Sequence, residues 1–272
     1  MNFDFLEGAV DLHVHSAPDV DPRRFDDFEL AREAAKARMG AILIKSHYAS
    51  TVERAFLVSK VVPGICVYGG LVLNETVGGL NPEAVRVALE LGAREIWMPT
   101  RSANNHRRHH GGNGGIALDA HLEATDKILA LVARHNAILG TGHLSPDEGC
   151  RLIERARAAG VRKILVTHPE WSCTSYSPEL QAKLAAGGDV FFERCFVSTT
   201  HRCGFTKFAT IEQAIAAAGV DSTVLATDLG QPDTPAPTEG LRLYAERLRS
   251  AGFSPDDLRK MMCDNPRALL TA

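Results

Sequence analysis

Residues 137–168 read AILGTGHLSPDEGCRLIERARAAGVRKILVTH, and this stretch contains one complete repeat of the fold. The apolar runs Ala137 to Gly140 and Lys163 to Val166 predict two short β-strands. Between them, Ser145-Pro146 places a capping side chain before a proline suited to the first helical turn, and Gly160 suits a helix end. Two strands joined through a helix run parallel, so the stretch predicts a βαβ unit.

The same alternation of apolar runs and helical periodicity continues along the whole chain. Eight runs predict strands: Ala9 to Val14, Ala41 to Lys45, Cys66 to Leu73, Glu95 to Met98, Ala137 to Gly140, Lys163 to Val166, Val190 to Glu193 and Thr223 to Ala226. We therefore predict an α/β protein with one (β/α)8 TIM-type barrel, residues 1–272 forming a single domain; a doubly wound open sheet is the alternative. The longest interruption, Thr100 to Ala117, lacks a helical period and predicts a mobile loop over the barrel mouth.

The composition is that of a soluble globular protein, with 272 residues of which 45% are hydrophobic and 23% charged. The net charge of −3 argues against a general nucleic-acid binder. No apolar run approaches the roughly 18 to 20 residues that cross a bilayer, so we expect no membrane partner. The first residues are acidic where a secretory signal is basic, so we expect a cytoplasmic protein, and a homo-oligomer is compatible with this composition. Six scattered cysteines form neither a zinc-knuckle pattern nor a disulfide framework.

Polar side chains able to bind a metal stand at the ends of several predicted strands. His13 and His15 share one face of the first strand, because alternate residues of a strand point the same way. His143, His168 and Asp228 end later strands. A single strand-end histidine is commonly structural, but four histidines and an aspartate at equivalent points of separate repeats are hard to explain by packing. They predict a site for a divalent metal ion, typically zinc or a neighbour in its series.

The first-strand motif Asp11-Leu12-His13-Val14-His15-Ser16, the single histidines after strands five and six and the aspartate after strand eight resemble the amidohydrolase superfamily of metal-dependent hydrolases. The segment Asp264 to Leu270 is similar to the Asn-Pro-Ala-like ending of many such enzymes. The resemblance covers the whole chain, although only the first-strand motif is specific on its own. It implies a metal-dependent enzyme with one or two bound ions, zinc being favoured over manganese or iron.

The resemblance also assigns roles to individual residues. It implies that His13, His15 and Asp228 hold the more buried metal ion. His143 would complete a mononuclear site or join His168 at a second one. Asp228 would in addition orient and deprotonate the attacking water.

Two features separate this chain from the usual binuclear members of the superfamily. From Ile96 to Thr100, strand four carries no lysine or glutamate to bridge two metals, and the nearest lysine at a strand end is Lys45, two strands earlier. Lys45 is open to three interpretations: a salt-bridged structural lysine, a cationic contact to the substrate or transition state, or a carbamylated metal bridge. His47 is either a further ligand or a solvated loop residue. The motifs around His13 and His47 also resemble the polymerase-and-histidinol-phosphatase family, whose closing Asp-x-His is missing after Asp228.

Basic side chains near the predicted mouth favour an anionic substrate. The loop after strand four carries Arg101, Arg107 and Arg108 without an acid, which makes it either solvated surface or a clamp for a carboxylate or phosphate. His201-Arg202 adds to the same positive rim. Glu193-Arg194 on strand seven is either a general acid with a substrate-binding partner or an internal ion pair.

The leading hypothesis is a metal-dependent hydrolase that acts on the amide, ester, lactone or phosphoester bond of a small polar, anionic molecule. Asp228, His168 and Lys45 are its predicted catalytic residues. A mononuclear metal-dependent lyase or decarboxylase is the second hypothesis, because strand four lacks the bridging residue. A phosphoesterase of the second family and a metal-binding protein without catalysis are the remaining alternatives.

Overall fold

A computed structural model describes residues 4–271 of the chain. Eight parallel strands stand side by side in sequence order, each paired with the next. They are β1 (Val10–Val14), β2 (Ala41–Ile44), β3 (Cys66–Val72), β4 (Glu95–Trp97), β5 (Ile138–Gly140), β6 (Ile164–Thr167), β7 (Val190–Cys195) and β8 (Thr223–Ala226). Every predicted strand is present, and its bounds differ from the prediction by at most two residues at either end.

Hydrogen bonds between the first and last strand regions close the sheet into a barrel. The Asp228 N–H donates to the His13 carbonyl at 2.7 Å, and the His15 N–H donates to the Leu229 carbonyl at 2.8 Å. This closure excludes the open-sheet alternative and confirms the predicted (β/α)8 barrel. The carboxyl ends of the strands therefore surround one mouth.

The chain between and after the strands forms these helices: α1 (Asp27–Lys36), α2 (Val52–Val61), α3 (Pro82–Glu90), α4 (Asn104–His109), α5 (Leu122–Arg134), α6 (Pro146–Ala158), α7 (Pro178–Ala185), α8 (Phe208–Ala218), α9 (Pro237–Ser250), α10 (Pro255–Arg259) and α11 (Asn265–Leu270). The predicted start of α6 is confirmed, because the Ser145 hydroxyl accepts the Glu148 N–H while the Glu148 carboxylate accepts the Ser145 N–H. Within residues 4–271, no helix is both long enough and apolar enough to span a lipid bilayer.

The barrel interior is apolar except for a few charged groups. Buried apolar side chains from most strands form one cluster there, namely Val10, Leu12, Ala41, Leu43, Val72, Trp97, Ile138, Leu165 and Val224. Lys45, Glu95 and Glu193 are fully buried as well. Isolated buried charges are costly, and Lys45 and Glu193 both contact His13 of the site at the mouth, whereas the Glu95 carboxylate has no hydrogen-bond partner.

The segment from Thr100 to Ala117 contains helix α4, so the prediction that it lacks a helix is wrong. Two residues of the segment bond to neighbouring segments of the chain. The Asn105 amide donates to the carbonyls of His143 at 3.1 Å and Cys173 at 2.8 Å, and Arg107 pairs with Glu75 at 2.6 Å. These tertiary contacts hold α4 over the strand ends beside the loop that carries His143.

Candidate metal centre

Four side chains from three strand ends meet at the barrel mouth. Oδ1 of Asp228 lies 3.0 Å from Nε2 of His13 and 2.8 Å from Nε2 of His15. Oδ2 of Asp228 lies 3.2 Å from Nε2 of His168. All three histidines are buried. The structure therefore brings together three of the four predicted strand-end histidines and the predicted aspartate.

The backbone turns sharply where these side chains leave their strands. His168 and Asp228 have left-handed φ angles of 52° and 51°, which side chains other than glycine rarely adopt and which commonly mark functional sites. Beside His143, Gly142 has a φ of 61°, and a Cβ there would lie 2.3 Å from the Met98 carbonyl oxygen. Only glycine fits this position, so the turn that carries His143 is fixed by close backbone packing.

The site holds an ionised carboxylate among imidazoles. Burial alone would raise the pKa of Asp228, but the charge of His13 and hydrogen bonds from His13, His15 and His168 hold it well below its usual range. Burial would lower the pKa of His13, but Asp228 and Glu193 outweigh it and raise the pKa to about 9. Burial lowers the pKa of both His15 and His168. The carboxylates of Asp228 and Glu193 are therefore the groups that would attract a cation here, and Lys45 beside His13 acts against them.

The donor atoms fit a divalent metal ion. His13, His15 and Asp228 each offer a ligand atom within 4.8 Å of the other two, and His13, His168 and Cys195 form a second such group. Two imidazoles and a carboxylate are ligands that zinc takes in catalytic sites. Within the part of the chain that the structure describes, buried ring nitrogens without a hydrogen-bond partner remain on His15, His143 and His168.

Glu193 contacts a histidine of the metal centre, whereas the sequence predicted that it would bind substrate. Its Oε2 lies 3.0 Å from Nδ1 of His13, and both side chains are fully buried. A carboxylate on Nδ1 fixes the proton there and leaves Nε2 of His13 to face Asp228, as outer partners of metal-bound histidines do. Glu193 therefore orients His13 and is not placed to bind substrate.

His143 and His47 lie beside the cluster without joining it. The His143 ring centre is 5.5 Å from that of His168, and the His47 ring centre is 5.0 Å from that of His15. Nδ1 of His47 also makes a 2.9 Å hydrogen bond with the Thr100 hydroxyl. His47 is buried, so its interpretation as a solvated loop residue is wrong.

Lys45 is buried against the metal-site histidines. Its Nζ lies 2.9 Å from Nε2 of His13 and 5.4 Å from the centre of the Trp97 ring. Burial lowers the pKa of Lys45, although Asp228 and Glu193 act in the opposite direction. The residue is not among those that line the mouth cavity. His13 and His15 do not line the cavity either, so the three interpretations of Lys45 stay predictions.

Strand β4 supplies two interior residues that the sequence did not single out. Trp97 fills the interior beside His13, with ring centres 6.1 Å apart. Glu95 lies two residues further from the mouth, its carboxylate has no hydrogen-bond partner, and burial raises its pKa well above the usual range. Glu95 could have been recognised in the sequence, because it is an acidic residue in an otherwise apolar predicted strand. Trp97 occupies the interior position nearest the mouth on β4, so this strand offers no bridging ligand.

Of the predicted substrate-binding arginines, Arg101 lines the mouth cavity and Arg107 and Arg108 do not. Arg107 is turned toward Glu75, and Arg108 is exposed. Arg194 is also wrongly predicted, because it is fully buried on the outer face of β7. It forms an ion pair with Glu170 there, on the side away from the cavity. Alternate residues of a strand face opposite ways, so Glu193 and Arg194 cannot act together on one substrate.

The mouth opens into a cavity of about 750 Å³ above Asp228. Trp171 and His106 form part of its wall, and both were missed as site residues in the sequence. Trp171 could have been recognised as a site residue, because it follows the predicted site residue His168 by three positions. His201 and Arg202 line the rim, where both contact Asp233. The cavity therefore combines an aromatic wall with cations already paired to acids.

The closed barrel and the histidine–aspartate cluster at its carboxyl end define a (β/α)8 protein of the amidohydrolase type in fold. An amidohydrolase from Pseudomonas aeruginosa is similar at a TM-score of 0.67 and 12% identity, covering 98% of this chain and 96% of that one. Dipeptidase AC, a metallopeptidase of family M19, is similar at 0.66 and 11% identity over 97% and 98%. 2,6-Dihydroxybenzoate decarboxylase from Rhizobium is similar at 0.56 and 13% identity over 97% and 98%.

These structural neighbours belong to the amidohydrolase superfamily, and the likeness in fold agrees with the resemblance seen in the sequence. No curated protein matches the sequence. A family model described as a family of unknown function (DUF6282) matches residues 8–193, and the chain belongs to that family.

Proposed function

We propose that this protein is a metal-dependent hydrolase that acts on a small anionic molecule. The observation that carries the proposal is the convergence of three histidine Nε2 atoms on the Asp228 carboxylate within 3.2 Å. The neighbours in fold include hydrolases that are divalent-metal enzymes, which supports the same chemistry here. The cavity above the carboxylate provides the space for a substrate.

His13, His15 and Asp228 would hold the metal ion, for which we propose zinc, with manganese and iron as the alternatives. When bound, the ion would lower the pKa of a water molecule towards neutrality. Asp228 takes the proton of the attacking water and returns it to the leaving group. His168 holds Oδ2 of Asp228 in position for the proton transfer, since its Nε2 lies 3.2 Å from this oxygen.

The rim cations provide the contacts for an anionic group. Arg101 pairs with Asp21 at 2.7 Å, and Arg202 pairs with Asp233. Both arginine side chains are partly exposed, so each can exchange its acid partner for a substrate carboxylate or phosphate at little cost. Trp171 beside them would pack against the body of the substrate.

We also propose a reducing compartment, the cytoplasm, for this enzyme. All six cysteines are unpaired, and Cys173, Cys195 and Cys263 are buried. Free buried thiols are ordinary in cytoplasmic proteins and uncommon where disulfides form.

Metal content and turnover test the proposed function together. Protein purified without added metal is expected to contain about one or two divalent ions per chain by elemental analysis, as the donor set implies. The metal-bound protein is expected to hydrolyse at least one class of compound in a panel of anionic amides, esters, lactones and phosphoesters. The metal-free protein is expected to hydrolyse none of them. Asp228→Asn should abolish turnover, while Asp126→Asn in an exposed pair on α5 should leave it unchanged. Protein that takes up no metal under any loading condition contradicts the proposal.

A mononuclear lyase is the second candidate, because Trp97 occupies the position on β4 where a ligand bridging two metal ions would be needed. The tryptophan leaves no bridging ligand on that strand, and one of the neighbours in fold is a decarboxylase. Release of carbon dioxide from aromatic carboxylates, with no hydrolysis of any panel compound, would support this candidate over the first.

A further inference from the structure

His106 on helix α4 lies directly against His143. The two Nδ1 atoms are 2.9 Å apart, the ring centres are 4.8 Å apart and the ring planes are inclined by 28°. Two ring nitrogens at this distance share one hydrogen, because two hydrogens would collide and two lone pairs would repel. One of the rings therefore donates from Nδ1 and the other accepts at Nδ1.

The surroundings of the two rings decide which one donates. His143 is buried, and its Nε2 has no hydrogen-bond partner. If His106 donated, neutral His143 would carry its hydrogen on Nε2, where a buried N–H without an acceptor is costly. If His143 donates from Nδ1, its Nε2 becomes a lone pair. His106 then carries its hydrogen on Nε2, and this ring is only partly buried at the cavity wall, where water can accept.

We infer that His106 is a positioning residue for the metal centre: it accepts the Nδ1–H of His143 and so keeps the Nε2 lone pair of His143 free to act as a metal ligand. The inference rests on the proposed function, since it names how a further ligand is prepared. The same arrangement occurs at His13, where Glu193 holds Nδ1 at 3.0 Å and Nε2 faces the site. At His143 a histidine takes the place of the carboxylate.

Helix α4 is held where this contact requires it. The adjacent Asn105 amide donates to the carbonyls of His143 and Cys173, so the helix is tied to the backbone of the very residue whose ring it orients. Arg107 pairs with Glu75 on the opposite side. The position of His106 is thus fixed by contacts on both neighbouring residues, and the imidazole pair does not depend on a free loop.

Zinc binding to the metal-stripped full chain, measured by competition with a chromophoric chelator, tests the inference. We expect His106→Ala to weaken Zn²⁺ binding by about 10- to 100-fold, as loss of an outer partner of a metal-bound histidine does. His106→Asn should recover most of the affinity, because an amide oxygen can accept the Nδ1–H. His109→Ala is the matched control: this exposed histidine on the same helix does not contact His143 and should bind Zn²⁺ as the wild type does.

A second readout does not depend on metal. In ¹⁵N-histidine spectra of the metal-free protein, with the signal assigned by its loss in His143→Ala, we expect His143 to carry its hydrogen on Nδ1. In His106→Ala that preference should disappear. A wild-type His143 with its hydrogen on Nε2, or His106→Ala with unchanged affinity, overturns the inference. If the wild type binds no Zn²⁺, the proposed function fails, and the spectra still decide whether His106 accepts from His143.

Discussion

An arginine binds substrate only if its side chain reaches the cavity, and position in the sequence does not settle that. Arg101 stands at the cavity wall, where its guanidinium contacts Asp21 and the Tyr48 hydroxyl at 2.7 and 2.5 Å. Arg107, on the adjoining helix, turns toward Glu75 and lies outside the cavity lining. Because Arg107 also holds α4 in place, the matched control for Arg101 is Arg108, which is exposed and also lies outside the cavity lining.

Arg101→Ala should raise KM for the true substrate by about 5-fold and leave kcat nearly unchanged. The reason is that a partly exposed arginine contact is worth about 1 kcal/mol and is made equally in the ground and transition states. Arg108→Ala should change KM by less than about 2-fold, since Arg108 is exposed and lies outside the cavity lining. Steady-state kinetics on both variants measure this, and equal effects of the two substitutions would contradict the proposed anion contact.

Residues at strand ends were predictable from the sequence, whereas residues brought in by other segments were not. His13, His15, His168 and Asp228 follow strands of one parallel barrel, whose topology alone brings them to one mouth. His106 and Trp171 reach the same cavity through the path of loops and short helices. No periodicity encodes such contacts, because they depend on how separate segments pack.

At the scale of a single element, strand β7 separates two charged neighbours that the sequence places side by side. Glu193 faces the barrel interior and orients His13, while Arg194 faces the helices. Arg194 forms an ion pair with Glu170, and its Nη1 donates a 2.9 Å hydrogen bond to the side-chain oxygen of Gln181. Arg194 does form an internal ion pair, but its partner is Glu170 and not the neighbouring Glu193, which contacts His13.

Glu170→Ala should lower the free energy of unfolding by about 3 to 5 kcal/mol, because it leaves the fully buried Arg194 without its counterion. The double variant Glu170→Leu with Arg194→Met should cost less than the single one, since it removes both charges from the interior. Asp126→Ala, which breaks the partly exposed pair with Arg155, should cost less than about 1 kcal/mol. Urea unfolding in metal-replete buffer measures all three, and a Glu170→Ala cost as small as that of Asp126→Ala would refute the role of the buried pair.

Helix α4 shows why some secondary-structure elements cannot be predicted from the sequence. It spans only Asn104–His109, and a helix this short is not stable in water by itself. Its residues are histidine, asparagine and arginine, with no apolar face, and no side chain caps its start. The helix forms because Asn105 and Arg107 bond to the loops around it. Helix α6, by contrast, was predictable because its start is encoded locally in Ser145, Pro146 and Glu148.

At the scale of the whole molecule, the metal centre joins the first and last strands of the barrel. His13 and His15 belong to the β1 region and Asp228 follows β8, the two elements whose pairing closes the sheet. An ion bound between them would link the two ends of the closed sheet, and such a ligand binds the folded chain far better than the unfolded one. Metal binding and barrel stability should therefore be coupled.

Removal of the metal should lower the melting temperature by about 5 to 10 °C. A ligand at 100 times its Kd stabilises the folded state by about 2.7 kcal/mol. In a chain of this size, 1 kcal/mol of stability corresponds to a Tm shift of about 2 to 4 °C. Calorimetry of chelator-treated and reloaded protein measures the shift. His13→Ala should melt with no response to added metal, because it removes the ligand whose Nε2 lies 3.0 Å from Asp228. His121→Ala, an exposed histidine ahead of α5, should keep the full metal response of the wild type. An unchanged Tm after elemental analysis has verified metal loss would show that the ion does not link the barrel ends.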